Sequence, residues 1–247
     1  MDQLLPTAAT DLDDDALARL YDFPPALDRP WVKVNFISSA DGAVSVNGRS
    51  GGLSDANDKR IFRFGRTLAD VILVGAGTAL IERYRGVKPH EIDADRRAAL
   101  GLAPVPPIAV VSRRCTVLPD SPLVTDAIAP TIVFTTENAP VERKTAVADA
   151  GADVVATGDD DVDLAGVLAD LDRRGLRRVA CEGGPSLFGS LIEAGLVDEL
   201  DLSVAPLLAA GDATRIAHGS LPAGPLPMRL ASVLHGNGML MLRYLRG

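Results

Sequence analysis

Two glycine-rich turns in the sequence have the residues of an anion-binding loop. The first, Cys181-Glu182-Gly183-Gly184-Pro185-Ser186-Leu187-Phe188, lies where a predicted strand passes into a predicted helix. The N–H groups at such a helix start have no intrahelical partners, and they can hold a pyrophosphate without basic side chains. The second, Val74-Gly75-Ala76-Gly77-Thr78, lets the backbone approach a ligand closely, although a lone G-x-G after a strand is also typical of a tight turn.

Polar side chains at the ends of predicted strands add to this chemistry. Glu182 ends a buried strand, where an acid loses hydration unless it meets a donor, so it is predicted to face a ligand amide or hydroxyl. Ser112 and Arg113 end another strand, and a hydroxyl beside a forked guanidinium suits a monoester phosphate such as the 2′-phosphate of NADP. The alternative for this pair is a solvated loop start.

A glycine-dense stretch after the first long strand is a further candidate. Ser38-Ser39-Ala40-Asp41-Gly42 closes that strand, and Gly48-Arg49-Ser50-Gly51-Gly52 follows it. The stretch is compatible with a loop that covers a flat ring and equally with a flexible hairpin.

Strands and helices alternate along the middle of the chain, and this alternation predicts the scaffold for these residues. Short apolar runs predict strands at 31–38, 70–75, 108–112, 131–136, 152–156 and 177–181. Helices are predicted at 54–68, 141–150, 163–174 and 186–194, the first of them capped by Ser54. Such alternation predicts βαβ crossovers and a parallel sheet, which binds ligands at the carboxyl ends of its strands.

The two ends of the chain break this alternation. Strands without intervening helices are predicted at 199–208, 228–234 and 239–244, which favours an antiparallel edge. Residues 1–30 are rich in acid and proline, with one short helix at 13–21, and are interpreted as a peripheral N-terminal arm. The sequence therefore predicts one α/β domain at 31–247, with a mixed sheet, mostly parallel with antiparallel C-terminal strands, and helices on both faces.

Composition argues against several other classes of protein. Of the 247 residues, 47% are hydrophobic and 23% charged, which is the balance of a globular protein rather than a disordered one. The 33 acidic residues outnumber the 25 basic ones, and the net charge of −8 disfavours nucleic-acid binding. Cys115 and Cys181 are too few for a disulfide framework, and the apolar runs are too short to cross a membrane, so a cytoplasmic location is expected.

Several motifs appear together in a specific order. They are Ser39-Ala40-Asp41-Gly42, Gly75-Ala76-Gly77-Thr78, Glu182-Gly183-Gly184-Pro185 and Leu196-Val197-Asp198-Glu199-Leu200. In this order, over roughly residues 31 to 244, they resemble the reductase of riboflavin biosynthesis, the C-terminal half of bacterial bifunctional deaminase-reductases. The resemblance implies a dihydrofolate-reductase-like fold, a homodimer, and NADPH-dependent reduction of a 5-amino-6-(5-phosphoribosylamino)uracil-type pyrimidine.

The resemblance also implies individual contacts. Those to NADPH would be made by Ser38, Gly52, Thr78, Glu82, Ser112, Gly183, Gly184, Pro185, Ser186, Leu187 and Phe188, and those to the substrate by Ser50, Arg66 and Glu182. The chemistry of the turns themselves adds Gly75, Gly77 and Arg113 to the candidate cofactor contacts. One segment departs from the family, whose D-D-P-x-L-T-V-R carries an arginine for the ribose phosphate. This chain has Ile81-Glu82-Arg83-Tyr84-Arg85-Gly86-Val87-Lys88-Pro89 there, so Arg83, Arg85 or Lys88 would have to bind that phosphate.

Three functional interpretations stay open at this point. For the pyrimidine reductase, Asp41 and Glu182 are the candidate proton donors if burial raises their pKa, although Asp41 is also suited to shaping its turn. The second interpretation is a dihydropterin or dihydrofolate reductase, in which Asp58 would pair with the amino-pyrimidine edge. The third is a non-catalytic NADP-binding protein. The H-x-E and P-C-x-x-C motifs of the deaminase half are absent, so no metal is expected.

Overall fold

The computed structural model describes residues 1–220 and 224–247 and contains one mixed sheet. Its strands are β1 (Asp2–Leu5), β2 (Trp31–Ser39), β3 (Val71–Gly75), β4 (Ile108–Val111), β5 (Ile132–Thr135), β6 (Asp153–Ala156), β7 (Arg178–Cys181), β8 (Glu199–Ala205), β9 (Met228–Gly236) and β10 (Met239–Arg246). Their order across the sheet is β1-β9-β10-β8-β2-β7-β3-β4-β5-β6. All pairs from β8 to β6 are parallel, whereas those joining β8, β10, β9 and β1 are antiparallel.

Helices cover both faces of this sheet. They are α1 (Asp14–Leu20), α2 (Ala56–Leu68), α3 (Ala76–Ile81), α4 (Ala94–Ala99), α5 (Pro122–Thr125), α6 (Val141–Asp149), α7 (Leu164–Arg173) and α8 (Pro185–Glu193). Alternate residues of a strand point to opposite faces, so Val71 and Leu73 of β3 pack with α7 and α8, while Ile72 and Val74 pack with α3 and α6. The predicted mixed sheet with helices on both faces is confirmed.

Glycine ends the two helices for which the sequence predicted it. Gly151 follows α6 with a φ of +103°, and Gly175 follows α7 with a φ of +75°. These are left-handed backbone conformations that glycine adopts without a steric penalty. The chain can therefore turn directly from each helix into β6 and β7.

The start of α2 differs from its prediction by one residue. The cap is Asp55, whose carboxylate accepts hydrogen bonds from the backbone N–H groups of Asn57 and Asp58, at 2.8 and 3.0 Å. Ser54 instead donates its hydroxyl hydrogen bond to the Asp58 carboxylate, at 2.6 Å. Both residue types can cap a helix, and here the longer aspartate reaches both free N–H groups.

The N-terminal segment is part of the domain rather than a peripheral arm. Its strand β1 pairs with β9 at the edge of the sheet. Leu17 and Tyr21, in and directly after α1, are buried in a core that includes Phe64 and Leu68 of α2. The acid-rich sequence around α1 hid this role, because only one face of the helix is apolar.

The C-terminal strands form the antiparallel side of the sheet, as predicted, although their order and the outermost strand were not. β10 lies between β8 and β9, and β1 continues the sheet beyond β9. The predicted polar segment between Tyr84 and Pro107 contains a 3₁₀ turn at Pro89–Glu91 and the short helix α4. Within residues 1–220 and 224–247, no helix is both long enough and apolar enough to cross a membrane.

Candidate cofactor and substrate site

A cleft of about 980 Å³ lies at the carboxyl ends of β3, β4 and β7. Because neighbouring parallel strands end on the same edge of a sheet, the turns that follow them meet there. The cleft is lined by Gly75, Ala76, Gly77 and Thr78 from the first turn, Ser112, Arg113 and Arg114 after β4, and Gly184, Pro185, Ser186 and Leu187 at the start of α8. The structure thus brings both glycine-rich turns to one cleft.

The two turns pack closely against each other, and at Gly183 and Gly184 there is no room for a Cβ. The Gly75 N–H donates to the Gly183 carbonyl, at 2.8 Å. A Cβ on Gly184 would collide with Thr78 Oγ1. Gly183 has a φ of +85°, and a Cβ there would lie 2.7 Å from Cζ of Phe36. The glycines therefore allow close packing between the turns in addition to any approach of a ligand.

The start of α8 has the free donors that the sequence predicted. Gly184 is the N-cap and Pro185 the first helical residue. In the part of the chain that the structure describes, the N–H groups of Ser186 and Leu187 donate to no protein acceptor. Since these groups lie at the positive end of the helix dipole, the turn fits a pyrophosphate.

Phe188, like Gly183, belongs to this turn but does not line the cleft. Its side chain is 3% exposed and stacks on Phe36, with 5.3 Å between the ring centroids. Its N–H donates to the Gly184 carbonyl, at 2.9 Å. Phe188 and Phe36 thus support the glycine turn from the core, and an aromatic residue within β2 gave no local sign of this contact.

Ser112 and Arg113, which follow β4, have different environments in the structure. Ser112 is buried, and its hydroxyl accepts a hydrogen bond from the Thr116 N–H, at 2.8 Å, so it holds the turn. The Arg113 side chain is 57% exposed at the cleft rim, where it donates to the Asp161 carboxylate, at 3.1 Å. Arg113 therefore remains accessible to an incoming phosphate, whereas the Ser112 hydroxyl is already used.

Glu182 does not face the cleft; it forms a buried ion pair with Arg66. Two parallel hydrogen bonds from the Arg66 guanidinium reach its carboxylate, at 2.7 and 2.8 Å, and the Tyr84 hydroxyl donates a third, at 2.7 Å. The Arg66 and Glu182 side chains are 13% and 4% exposed. This arrangement does not favour Glu182 as a proton donor, because its oxygens accept three hydrogen bonds and an arginine neutralises its charge.

The ionisation of this group follows from its burial. Burial alone would lower the pKa of Arg66. The charge and hydrogen bonds of the Glu182 carboxylate have a larger combined effect, so the pKa of Arg66 is raised. Burial and the same carboxylate raise the pKa of Tyr84 well above its usual value, so the hydroxyl stays a neutral donor. Tyr84 was missed from the sequence, because it lies in the segment that departs from the family and 98 residues from Glu182.

Asp41 is also unsuited to donating a proton at neutral pH. Its exposed carboxylate accepts hydrogen bonds from the Ser39 hydroxyl and from the backbone N–H groups of Ala209 and Ala210. These bonds, that of Ser39 first, lower its pKa to about 2. Asp41 therefore joins the end of β2 to the loop after β8, which is the turn-shaping role that the sequence left open.

The glycine-dense loop after β2 is tied to α3 rather than to the main cleft. The Glu82 carboxylate accepts from both the N–H and the hydroxyl of Ser50, at 2.9 and 3.0 Å. Gly52 lines a separate depression of about 640 Å³, with the segment 207–213 on its other side. Ser38 is buried in β2. Ser50 and Glu82 are thus hydrogen bonded to each other, and the lining of the main cleft includes none of Ser38, Ser50, Gly52 and Glu82.

Asp58 is buried in the first turn of α2. Burial raises the pKa of its carboxyl group, while the Ser54 and Ser203 hydroxyls stabilise the charged form. The Ser54 hydroxyl thus already donates to this carboxyl group, at 2.6 Å, which differs from a carboxylate left open for a ligand edge.

Comparison with known proteins identifies the family of the chain that carries these turns. The family model for the RibD C-terminal domain matches residues 30–240. The chain is similar to a 2,5-diamino-6-ribosylamino-4(3H)-pyrimidinone 5′-phosphate reductase from Archaeoglobus fulgidus, with 36% identity over 74% of this chain and 83% of the relative. A protein of the same description from Methanothermobacter thermautotrophicus is 34% identical over 77% of this chain and 85% of its own length.

Solved structures agree with the fold. A pyrimidine reductase-like protein from Corynebacterium diphtheriae superposes with a TM-score of 0.77 and 25% identity, over 88% of this chain and 92% of that one. The riboflavin biosynthesis reductase of Saccharomyces cerevisiae has the same fold, with a TM-score of 0.66 and 16% identity over 94% and 98% of the two chains. The chain belongs to the RibD C-terminal domain family, whose curated relatives are reductases.

Proposed function

We propose that this chain is an NADPH-dependent reductase of riboflavin biosynthesis, acting on a pyrimidine of the 5-amino-6-(5-phosphoribosylamino)uracil type. The relatives described above, which act on a ribosylamino-pyrimidinone 5′-phosphate by name, support the substrate class. The observation that carries the proposal is the single cleft shared by the two glycine turns. Two turns from distant parts of the chain converge there, as the grip on a dinucleotide requires.

The lining of the cleft fits a dinucleotide along its length. The free N–H groups of Ser186 and Leu187 would hold the pyrophosphate, and Gly184 leaves the room that a Cβ would fill. Arg113 at the rim would bind a 2′-phosphate through its forked guanidinium. A bound nicotinamide supplies a hydride, so the chain needs no nucleophile of its own.

The substrate side is built from the Arg66 ion pair. Glu182 and Tyr84 fix the guanidinium plane, so that Nη1 of Arg66 points to the third partner of the cluster, Glu91, at 3.8 Å. Arg85 donates to the same Glu91 carboxylate, at 2.8 Å. Two guanidinium groups that converge on one carboxylate have the arrangement needed for a phosphate.

This arrangement selects among the cations of the divergent segment. Lys88 donates to both the carbonyl and the carboxylate of Asp126, at 2.7 and 2.5 Å, and no hydrogen bond or ion pair joins Asp126 to Arg66 among the described residues. Arg85 is half exposed and shares its acceptor with Arg66. We therefore assign the substrate phosphate to Arg66 and Arg85, in place of the arginine that other family members carry.

The test is a hydride-transfer assay of the purified chain with NADPH. We expect oxidation of NADPH with the phosphoribosylamino-pyrimidine, and a raised KM for that substrate in Arg85→Ala. Turnover of dihydrofolate that disappears in Asp58→Asn would support the dihydropterin alternative instead. Binding of NADPH without turnover of either substrate would support the non-catalytic one, and both outcomes contradict the proposal.

We also propose that the chain is a homodimer. On β8 and β10, the pairs Leu202 with Leu242 and Val204 with Leu240 form an apolar strip on the face opposite α2. These side chains are only partly buried, and Leu240 is 37% exposed. A second copy of the same strip would cover them symmetrically. Light scattering should give twice the mass of one chain, and Leu240→Asp should give the monomer; a monomeric parent chain would contradict the dimer.

A further inference from the structure

The acidic stretch Asp159-Asp160-Asp161 reaches the proposed cofactor cleft at its last residue. Asp161 lines the cleft together with Arg113, to which it is hydrogen bonded at 3.1 Å. The Asp161 side chain is 83% exposed and that of Arg113 is 57% exposed. An acid thus shares the arginine that the proposed function assigns to the 2′-phosphate of NADPH.

The turn that carries Asp161 is fixed by the backbone. The N–H of Glu137 donates to the Gly158 carbonyl, at 2.9 Å, and the N–H of Asn138 donates to the Asp159 carbonyl, at 3.2 Å. Gly158 has a φ of +76°, and a Cβ there would collide with the Asp161 carbonyl. Asp161 is therefore held beside Arg113 and does not depend on the ion pair for its position.

The neighbouring acids have other partners. The Asp160 carboxylate accepts from the Asn138 side chain, at 3.0 Å, on the side of the β5–α6 turn. The Asp163 carboxylate caps α7, accepting from the Ala165 N–H at 3.0 Å. Among the described residues, Arg113 is the polar side chain to which Asp161 is hydrogen bonded.

We propose that Asp161 weakens the preference of this cleft for NADPH over NADH. The proposal rests on the proposed function, in which a dinucleotide occupies the cleft. A carboxylate repels a 2′-phosphate and competes with it for Arg113, whereas it accepts a hydrogen bond from the 2′-hydroxyl of NADH. The two side chains therefore form a selector whose arginine favours one cofactor and whose aspartate favours the other.

The expected size of the effect on NADPH affinity follows from the exposure of the Arg113 and Asp161 side chains. Ion pairs between exposed side chains contribute up to about 1 kcal/mol, so removing the competing charge is expected to tighten NADPH binding by about fivefold. Salt screens exposed charges over about 10 Å at 0.1 M ionic strength, so the effect is expected to shrink as salt rises.

The experiment is a titration of NADPH and of NADH into the full chain and three variants. Asp161→Asn should bind NADPH about fivefold more tightly and NADH no more tightly than the parent chain. Asp160→Asn, a matched change one residue away, should leave both affinities unchanged. Arg113→Ala should weaken NADPH more than NADH.

The outcomes separate this inference from the proposed function. If the parent chain binds neither cofactor, the proposed function is wrong, and the inference is overturned with it. If both cofactors bind but Asp161→Asn changes them equally or not at all, only the inference is overturned. An equal effect of Asp160→Asn would also overturn it, because the charge of the stretch would then matter rather than the position of Asp161.

Discussion

The cofactor cleft and the charged layer near α2 are built from different groups of the protein. The cleft is built from glycines and backbone N–H groups, with an exposed ion pair of Arg113 and Asp161 at its rim. The charged layer is the set of buried charged side chains on the face of the sheet that α2 covers, and most of them form ion pairs. Backbone donors can bind a ligand without being buried or charged, whereas buried charges must be satisfied by the protein itself.

The charged layer contains a second group of buried side chains besides the Arg66 and Glu182 pair, and this group lies on β2, β8 and β10. Glu199 is fully buried in β8 and accepts from Arg243, at 2.6 Å, with Lys33 at 3.2 Å. Lys33 also lies over the ring of Phe23, with its Nζ 4.5 Å from the centroid. Asp201 lies two residues along the same strand. Buried charges therefore occur in β8 and β10 of the antiparallel part as well as at Arg66 and Glu182.

The largest effect on stability is expected from breaking the buried pair. Glu182→Gln should lower the free energy of unfolding by about 3–5 kcal/mol, because the Arg66 charge then stays buried without its partner. Urea unfolding measures this. The exposed pair provides the comparison, since Asp161→Asn should cost less than about 1 kcal/mol. Similar losses in the two variants would contradict the contrast drawn between the regions.

A smaller effect is expected from adding one carbon to the cleft. Gly184→Ala places a Cβ against Thr78 Oγ1 and should cost about 1–3 kcal/mol, together with much of the NADPH affinity. Thermal melts and an NADPH titration measure the two losses.

Two further variants sharpen this result. Adding Thr78→Ala to Gly184→Ala removes the colliding hydroxyl and should restore the melting temperature. Gly65→Ala serves as the control, because a Cβ on Gly65 meets nothing within 4 Å. A melting temperature that the double variant leaves unrestored would contradict the close packing of the two turns.

The third effect depends on pH and belongs to the charged layer alone. Burial, and then the charge of Glu199, raise the pKa of Asp201 to about 8. Since this folded-state pKa lies above the unfolded one, the protonated carboxyl stabilises the fold at low pH, and this contribution is lost as pH rises towards 8. The loss is at most about 1.4 kcal/mol per pH unit.

Asp201→Asn removes that dependence while keeping the shape of the protonated acid. Melts from pH 5 to pH 9 should therefore show a flatter profile, with the variant more stable than the parent chain at the upper end. A variant profile parallel to that of the parent chain would assign the pH dependence to another group.

Much of the fold was predictable because its signals are local. Apolar runs gave the parallel strands, and Gly151 and Gly175 marked the ends of their helices. The place of β10 between β8 and β9 was not predictable, because strand order depends on pairing between distant segments. The burial of α1 was missed for the same reason, since its partner α2 lies far along the chain.

The features of the site likewise divide into local ones that the sequence predicted and long-range contacts that it did not. The turns at Gly75 and Gly183 were identified from short motifs, and the structure brings both to one cleft. The partners of Glu182 and Arg113 were not identified, because Arg66 lies 116 residues from the first and Asp161 lies 48 from the second. A motif names a side chain of the right chemistry, but the distant group that binds it decides whether it is free for a ligand.

Hydrogen exchange at the start of α8 tests the central claim most directly. The backbone N–H groups of Ser186 and Leu187 have no protein acceptor in the described structure, so they should exchange quickly in the free chain. Saturating NADPH should slow exchange at these two amides, and Gly184→Ala should abolish that protection. Unchanged exchange at both amides in the presence of bound NADPH would contradict the claim that this turn holds the dinucleotide.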